Sequence, residues 1–236
     1  MSESTDSTPK AENPFTKPWF LAAGGVIVVI IVLAVVYALL PPVGAAPNAQ
    51  PTPTADKSSS APSAAPGDSV CGLPKGDPII PGPGLTSKWE LVGKIATPTA
   101  PEKFGPGKVS ADGVRTCFAH NPTGALYAAT NVLAMSASGR QAETYKHLAA
   151  SGPERDAALA TSSSAEPVDV QVAGYQYVSY SADSAVVTLG VKFSNDTYFT
   201  FATAMKWENG DWKTVLPPAS GQQVKDLSTL IPWSGV

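Results

Sequence analysis

An uninterrupted apolar stretch at residues 19–40 is the strongest pattern in the chain. It reads WFLAAGGVIVVIIVLAVVYALL and contains no charged residue. An α-helix rises about 1.5 Å per residue, so this stretch is long enough for a hydrocarbon core of about 30 Å. It predicts a single N-terminal transmembrane helix, which would place the polar tail at 1–18, expected to be disordered, on one side of a membrane and the rest of the chain on the other.

The charges that flank this stretch predict its orientation. Lys10 and Lys17 precede it, whereas the first basic residue after it is Lys57. Because basic residues favour the cytoplasmic side, we expect a cytoplasmic N-terminus and an extracytoplasmic C-terminal domain on a single-pass protein of the cell membrane. A cleaved signal peptide is the alternative, with a small-residue site at 44–46. The apolar run exceeds the core of about 7–15 residues that signal peptides have, which favours the anchor.

Residues 41–69 differ in composition from the rest of the chain. They are rich in Pro, Ala and Ser and have almost no large apolar side chain. Such a segment cannot bury a core, so it predicts an extended linker. The residues that follow, 70–236, amount to about 165 and suffice for one domain with its own core.

A period near 3.6 predicts two to three helices between about 122 and 161. Asn121 is a good N-cap, and Pro122 suits the first helical position. The apolar spacing of the first helix places five residues on one face: Leu126, Ala129, Val132, Leu133 and Ser136. A second helix is expected over about 140–150, and Pro153 opens a short third one.

A period of two predicts four strands between about 167 and 217. Asn209-Gly210 between two apolar runs is the strongest hairpin signal in the chain. An earlier strand is expected over 89–95. After residue 218, the spacing of the apolar residues predicts one helical turn, on Val224, Leu227, Leu230 and Ile231.

Gly174 interrupts the first of these strands at a change of parity. Three alternating valines precede it: Val168, Val170 and Val172. Tyr175 and Tyr177 follow on the opposite parity. One extra residue near Gly174 would turn the valines and the tyrosines to the same side, which predicts a β-bulge. If this glycine has a positive φ, its replacement by valine should strain the bend and destabilise the domain.

Helices followed by meandering strands indicate the α+β class, here a cone-shaped domain with helices packed on a curved four-stranded antiparallel sheet. With its WENGDW sequence at 207–212, the segment 120–218 resembles nuclear-transport-factor-like (cystatin-like) domains. The order of tail, anchor, linker and exported domain resembles the bitopic inner-membrane component of type IV secretion and conjugation machines. The sequence GVRTCFAHNPTGA at 113–125 resembles envelope proteins of actinobacteria, some of them linked to mobile elements.

The resemblance implies a scaffold or assembly subunit of a cell-envelope machine, with conjugative transfer as its process. Its expected partners are the lipid bilayer, other subunits of the complex and further copies of itself. An enzymatic role, a cofactor and a metal are not expected. From residue 70 onward, 13 Lys and Arg stand against 14 Asp and Glu with the charges scattered, which argues against direct nucleic-acid binding. The alternative is an envelope module that binds lipid, peptidoglycan or a small molecule at the mouth of the cone. A pocket enzyme is a third interpretation.

Cys71 and Cys117 are the candidate disulfide. They would close a loop of about 47 residues, and in an oxidising compartment pairing is the default. Two free thiols or a redox pair are the alternatives, although the cysteines do not form a CxxC motif.

Histidines and aromatic residues are the remaining candidates for a site. His120 is expected to be structural, beside the helix cap, and His147 to lie on a solvated helix face; general-base chemistry is the alternative. The aromatic residues of the sheet are expected mainly in the core. Tyr175 and Tyr177, which share a strand face, are the candidate partner-binding face.

Overall fold

The computed structural model of the chain describes residues 69–235. Within them lie the helices α1 (Pro122–Ala137), α2 (Gln141–Leu148) and α3 (Pro153–Thr161). The strands are β1 (Lys88–Val92), β2 (Ile95–Thr99), β3 (Lys108–Val109), β4 (Arg115–Thr116), β5 (Val170–Tyr180), β6 (Ser184–Phe193), β7 (Tyr198–Glu208), β8 (Asp211–Thr214), β9 (Gln222–Val224) and β10 (Ile231–Pro232). The three helices fall within the predicted range.

The main sheet is antiparallel and has the strand order β10-β5-β6-β7-β8, with β9 pairing to the other end of β7. The pairs β1–β2 and β3–β4 form separate hairpins. We call the face of the main sheet that packs on α1 the inner face, and the opposite face the outer face. Leu126 and Ala129 of α1 have no exposed surface and pack against inner-face residues such as Leu189.

The predicted four-stranded sheet is wrong, because the described sheet has six strands. The two additional strands, β9 and β10, come from the segment where the sequence predicted a helical turn. Between them the chain crosses the outer face, and Leu227 and Leu230 cover Gly190 of β6. A Cβ added at Gly190 would clash with Leu230 Cδ1. The apolar side chains that resembled a helix face therefore pack on a sheet.

The predicted transmembrane helix at 19–40 lies outside the described residues, as do the tail and most of the linker. Within residues 69–235, none of the helices combines the length and the apolar character that crossing a bilayer requires. The strand predicted over 89–95 is also corrected. The chain turns back at Gly93, which has a φ of 60°, so that Val92 pairs with Ile95 and the segment becomes the β1–β2 hairpin.

Two local predictions, the N-cap of the first helix and the turn of the last hairpin, are confirmed. Asn121 caps α1, because its Oδ1 accepts the backbone N–H of Gly124 at 2.8 Å. The β7–β8 hairpin turns at Asn209 and Gly210, whose φ angles of 54° and 77° are both positive. A two-residue hairpin loop of this kind needs residues that tolerate the left-handed region, and Asn-Gly supplies them.

The predicted bulge in β5 is confirmed. Val172 pairs with Val191 and Gly174 pairs with Gly190, so Ala173 is the extra residue. The bulge brings Val172 and Tyr175 to the inner face, where both are buried. Gly174 is not among the glycines with a positive φ. Glycine is needed there for a different reason, since a Cβ would lie 3.0 Å from the carbonyl oxygen of Ile231 in β10.

Replacement of Gly174 by valine should destabilise the fold by about 1–3 kcal/mol, the usual cost of overpacking a close contact. The branched side chain would push β10 away from β5. Urea unfolding followed by far-UV circular dichroism measures the change, with Gln176→Val, an exposed position on the same strand, as the control. Equal unfolding midpoints for the two variants would contradict the close approach of β10.

Candidate functional site

An apolar groove of about 190 Å³ lies between the end of α1, the start of α2 and strands β7 and β8. We call it the α1–β7 groove. Its larger walls are Val132, Leu133, Tyr145, Phe201 and Leu216, and the smaller lining residues are Ser136, Gln141, Thr144, Ala202, Thr203, Thr214, Pro218 and Ala219. None of these side chains carries a charge, so the groove suits a neutral, apolar occupant.

The apolar face of α1 forms one wall of this groove. Its first half is buried in the core, as Leu126 and Ala129 show. One turn later Val132, Leu133 and Ser136 are only half-buried and line the groove. The apolar face predicted from the helical period therefore packs in the core near the N-terminus of α1 and lines the groove near its C-terminus.

Gln141, at the first position of α2, is one of the polar residues that line the groove. Its Oε1 atom is buried and has no hydrogen-bond partner within the described residues. A buried acceptor without a donor costs about 1–3 kcal/mol. Thr144 beside it is satisfied, because its hydroxyl donates to the carbonyl of Arg140 at 2.8 Å. The groove thus offers apolar walls, several hydroxyl groups and, in its lining residue Gln141, a buried acceptor that has no donor.

A wider depression of about 440 Å³ near the start of β5 has a different character. Its charged side chains neutralise one another. Lys94 Nζ lies 3.1 Å from Asp169 Oδ1, and Lys192 Nζ lies 2.7 Å from Asp196 Oδ1. These exposed pairs leave no charge free for a ligand, so the α1–β7 groove is the stronger candidate site.

The predicted disulfide is present between Cys71 and Cys117. It ties the start of the described chain to the segment that leads into α1. Val70 donates its backbone N–H to Gly210 at 2.7 Å, which adds the β7–β8 hairpin to the same junction. Because both cysteines are bonded to each other, the alternative of two free thiols is wrong.

Tyr175 and Tyr177 do share a side of β5, but the partner-binding face predicted for them is corrected. Tyr175 has no exposed surface, and its hydroxyl donates to the carbonyls of Pro81 and Gly82 at 3.1 Å. The hydroxyl of Tyr177 donates to the carbonyl of Pro122, and burial raises the pKa of this phenol. Tyr175 lies in the interior and Tyr177 is half-buried, so the two side chains do not form an open face.

The two histidines lie where their structural interpretations place them. His120 is 6 % exposed, its ring stacks on Trp207 with centroids 3.9 Å apart, and its Nε2 lies 2.5 Å from the carbonyl oxygen of Ala182. His147 is exposed on α2. Neither lines the α1–β7 groove. Within residues 69–235, no group of three or more His, Cys, Asp or Glu residues is arranged to hold a metal ion.

Asp211 is a structural residue whose full role the sequence does not reveal. Only 2 % exposed, it accepts the backbone N–H groups of Cys117 at 3.0 Å, Phe118 at 2.9 Å and Trp212 at 3.0 Å. Cys117 has a φ of 68°, a conformation that costs free energy for a non-glycine residue. The carboxylate therefore holds the disulfide segment against the hairpin, through contacts between residues far apart in the chain.

Comparison with known proteins gives one match. A family model described as a domain of unknown function, DUF8175, matches residues 51–234. The chain belongs to this family. No curated protein matches it significantly, and no solved structure does either. The DUF8175 match covers every element described above and includes the α1–β7 groove.

Proposed function

We propose that this chain is a non-enzymatic docking subunit of a cell-envelope assembly, and that the α1–β7 groove receives a segment of a partner protein. The resemblance noted in the sequence makes a conjugative transfer machine the first assembly to test. The observation that carries the proposal is the groove itself, whose apolar lining has one unpartnered acceptor. No Asp, Glu, His, Cys, Lys or Arg lines it, so its chemistry suits binding better than proton transfer.

The size of the groove favours a protein partner over a whole small molecule. Pockets for drug-sized ligands usually measure about 300–1,000 Å³, whereas this one measures about 190 Å³. That space fits one or two side chains. Protein interfaces commonly depend on a few anchor side chains that fill such pockets. A backbone N–H beside the anchor would satisfy Gln141 Oε1.

The disulfide supports a location outside the cytoplasm. Structural disulfides persist in oxidising compartments and are rare where thiols are kept reduced. The Cys71–Cys117 bond links segments 46 residues apart and sits in a tightly packed junction, which is typical of a structural rather than a catalytic bridge. A domain of this kind fits the exported part of an envelope assembly.

A random dodecapeptide library displayed on phage tests the proposal with the full-length chain as bait. We expect the enriched peptides to be neutral and to share one large apolar residue. Ser136→Arg places a long charged side chain in the groove and should weaken the selected peptide at least tenfold. Gln141→Met removes the acceptor with little change of volume. It should weaken binding about 2- to 10-fold, which corresponds to the net free energy of one hydrogen bond.

The matched control is Ala157→Arg, at an exposed position of α3 outside the groove. It should bind the peptide like the wild type. Failure to enrich any peptide, or enrichment of peptides whose binding Ser136→Arg leaves unchanged, would contradict the docking function.

An envelope ligand-binding module is a second candidate function, and the same unpartnered acceptor favours it. A small apolar molecule with one hydroxyl or amide N–H would satisfy Gln141 as a peptide does. The peptide experiment separates the two. If the library yields no binder while the chain purified from its host carries a bound small molecule that Ser136→Arg excludes, the second function replaces the first.

A further inference from the structure

One edge of the main sheet lies open at the end of β5. On one side β5 pairs with β6 along most of its length. On the other side its described partner is β10, which pairs only at Gly174 and Tyr175. Residues 176–180, which we call the free edge, therefore have no neighbouring strand within the described part of the chain. An open strand edge presents backbone N–H and C=O groups that can pair with another strand.

The free edge is apolar where it is most exposed. Val178 is 65 % exposed, and a second irregularity of register, between Tyr177 and Ser179, leaves it without a partner on β6. The stretch reads QYVSY and contains neither charge nor proline. Natural edge strands are usually protected by lysine or by proline. Their absence leaves the bulge at Val178 as the remaining protective device.

A second apolar element lies beside this edge. Pro78 lines the same cavity as Tyr180, and the carbonyl of Pro81 accepts a hydrogen bond from Tyr175. The segment between these two prolines therefore lies near the side chains of Tyr175 and Tyr180, at the two ends of the free edge. It carries Ile79 and Ile80, which are 70 % and 44 % exposed. Exposed apolar side chains thus occur both on the free edge and on a segment near its two ends, and exposed apolar surface of this kind can mark an interaction site.

We propose that the free edge pairs with the free edge of a second copy of this chain. Two identical strands can pair antiparallel about a twofold axis, which here would pass near Val178 and extend the sheet across both copies. Self-pairing places identical residues on both sides of the axis, so a charge in the stretch would meet a like charge. The neutral sequence of residues 176–180 avoids this repulsion.

The bulge limits how many residues can pair, so the apolar contacts of Val178, Ile79 and Ile80 contribute much of the binding. Such an interface is smaller than the standard size of about 1,600 Å². The dimer is therefore reversible and depends on concentration. Copies gathered in one assembly would pair through it at a high effective concentration.

Sedimentation of the full-length chain over a range of concentrations tests this proposal. We expect a monomer–dimer equilibrium whose dissociation constant rises at least tenfold in Val178→Lys, because two lysines would meet at the axis. Leu91→Lys is the matched control, since Leu91 is a 67 % exposed apolar residue on β1. It should dimerise like the wild type. A wild type that stays monomeric throughout, or equal effects of the two variants, would overturn the proposal.

Val178→Cys provides a second measurement that does not add a charge. Near a twofold axis the two new cysteines would lie within about 7 Å between Cα atoms and could form a disulfide. We expect mild oxidation to give a covalent dimer of this variant much faster than of Leu91→Cys. Equal rates of crosslinking for the two variants would place the contact elsewhere and refute pairing at β5.

Discussion

Replacement of Trp233 by alanine should lower the free energy of unfolding by about 3–5 kcal/mol, the range for truncating a large buried aromatic residue. Trp233 is 6 % exposed and follows β10 into the core. Its ring lies 4.6 Å from that of Trp89 and 5.4 Å from that of Tyr175, between centroids. Its Nε1 donates to the hydroxyl of Ser87 at 3.2 Å. The side chain thus anchors the C-terminal segment to the core.

Urea unfolding followed by far-UV circular dichroism measures this loss in the full-length chain. Trp233→Phe is the matched control. It keeps an aromatic ring and loses only the hydrogen bond and part of the volume, so it should cost less than half as much. A loss below about 1 kcal/mol for Trp233→Ala, which is what an exposed surface residue would give, would show that the C-terminal segment is not part of the core.

Removal of the disulfide should cost about 4 kcal/mol, the chain-entropy value for a loop of this length. The double variant Cys71→Ser, Cys117→Ser would open a loop whose ends are 46 residues apart. Without the bond, the junction is held by hydrogen bonds such as those of Asp211 with Cys117 and of Val70 with Gly210. Chemical denaturation compares the variant with the wild type.

Reduction of the wild type with dithiothreitol provides the control, because it breaks the bond without changing a side chain elsewhere. The reduced wild type and the double variant should unfold at nearly the same urea concentration. If the reduced protein keeps the full stability of the oxidised one, the junction is held by its other contacts and the disulfide is not structurally required.

Local patterns predicted the elements whose chemistry is local. Asn121 and Pro122 define the start of α1, and Asn209-Gly210 defines a hairpin, because caps and tight turns are decided by neighbouring residues. The parity change at Gly174 predicted a bulge for the same reason. The reason for a glycine at this position is not local, because the φ of Gly174 is not positive and the close approach of β10 is what limits the side chain.

Elements that depend on distant partners were missed. Leu227 and Leu230 have a helical spacing, but they cover Gly190, which lies far away in the sequence. That contact makes the C-terminal segment part of the sheet. Tyr175 and Tyr177 do share a side of the strand, yet alternation alone does not reveal which side is buried. Both faces of this sheet are covered: α1 packs on the inner face and the C-terminal segment packs on the outer face.

The candidate site was predictable only in part. The apolar spacing of α1 marks Val132, Leu133 and Ser136 as one face, and these residues do line the groove. The sequence gives no sign that these three residues are only half-buried while Ala134 and Met135 between them are fully buried, nor that the acceptor of Gln141 lacks a donor. Both features arise from how α1, α2 and β7 are placed in space, which residue spacing does not encode.

The location of a bound peptide tests the docking function most directly. A copy of the selected peptide that carries a benzophenone group can be photocrosslinked to the full-length chain, and mass spectrometry then maps the attachment. The account predicts attachment within 132–145 or 201–219, the segments that form the α1–β7 groove, and loss of the adduct in Ser136→Arg. Attachment confined to other segments, or an adduct that persists in Ser136→Arg, would contradict it.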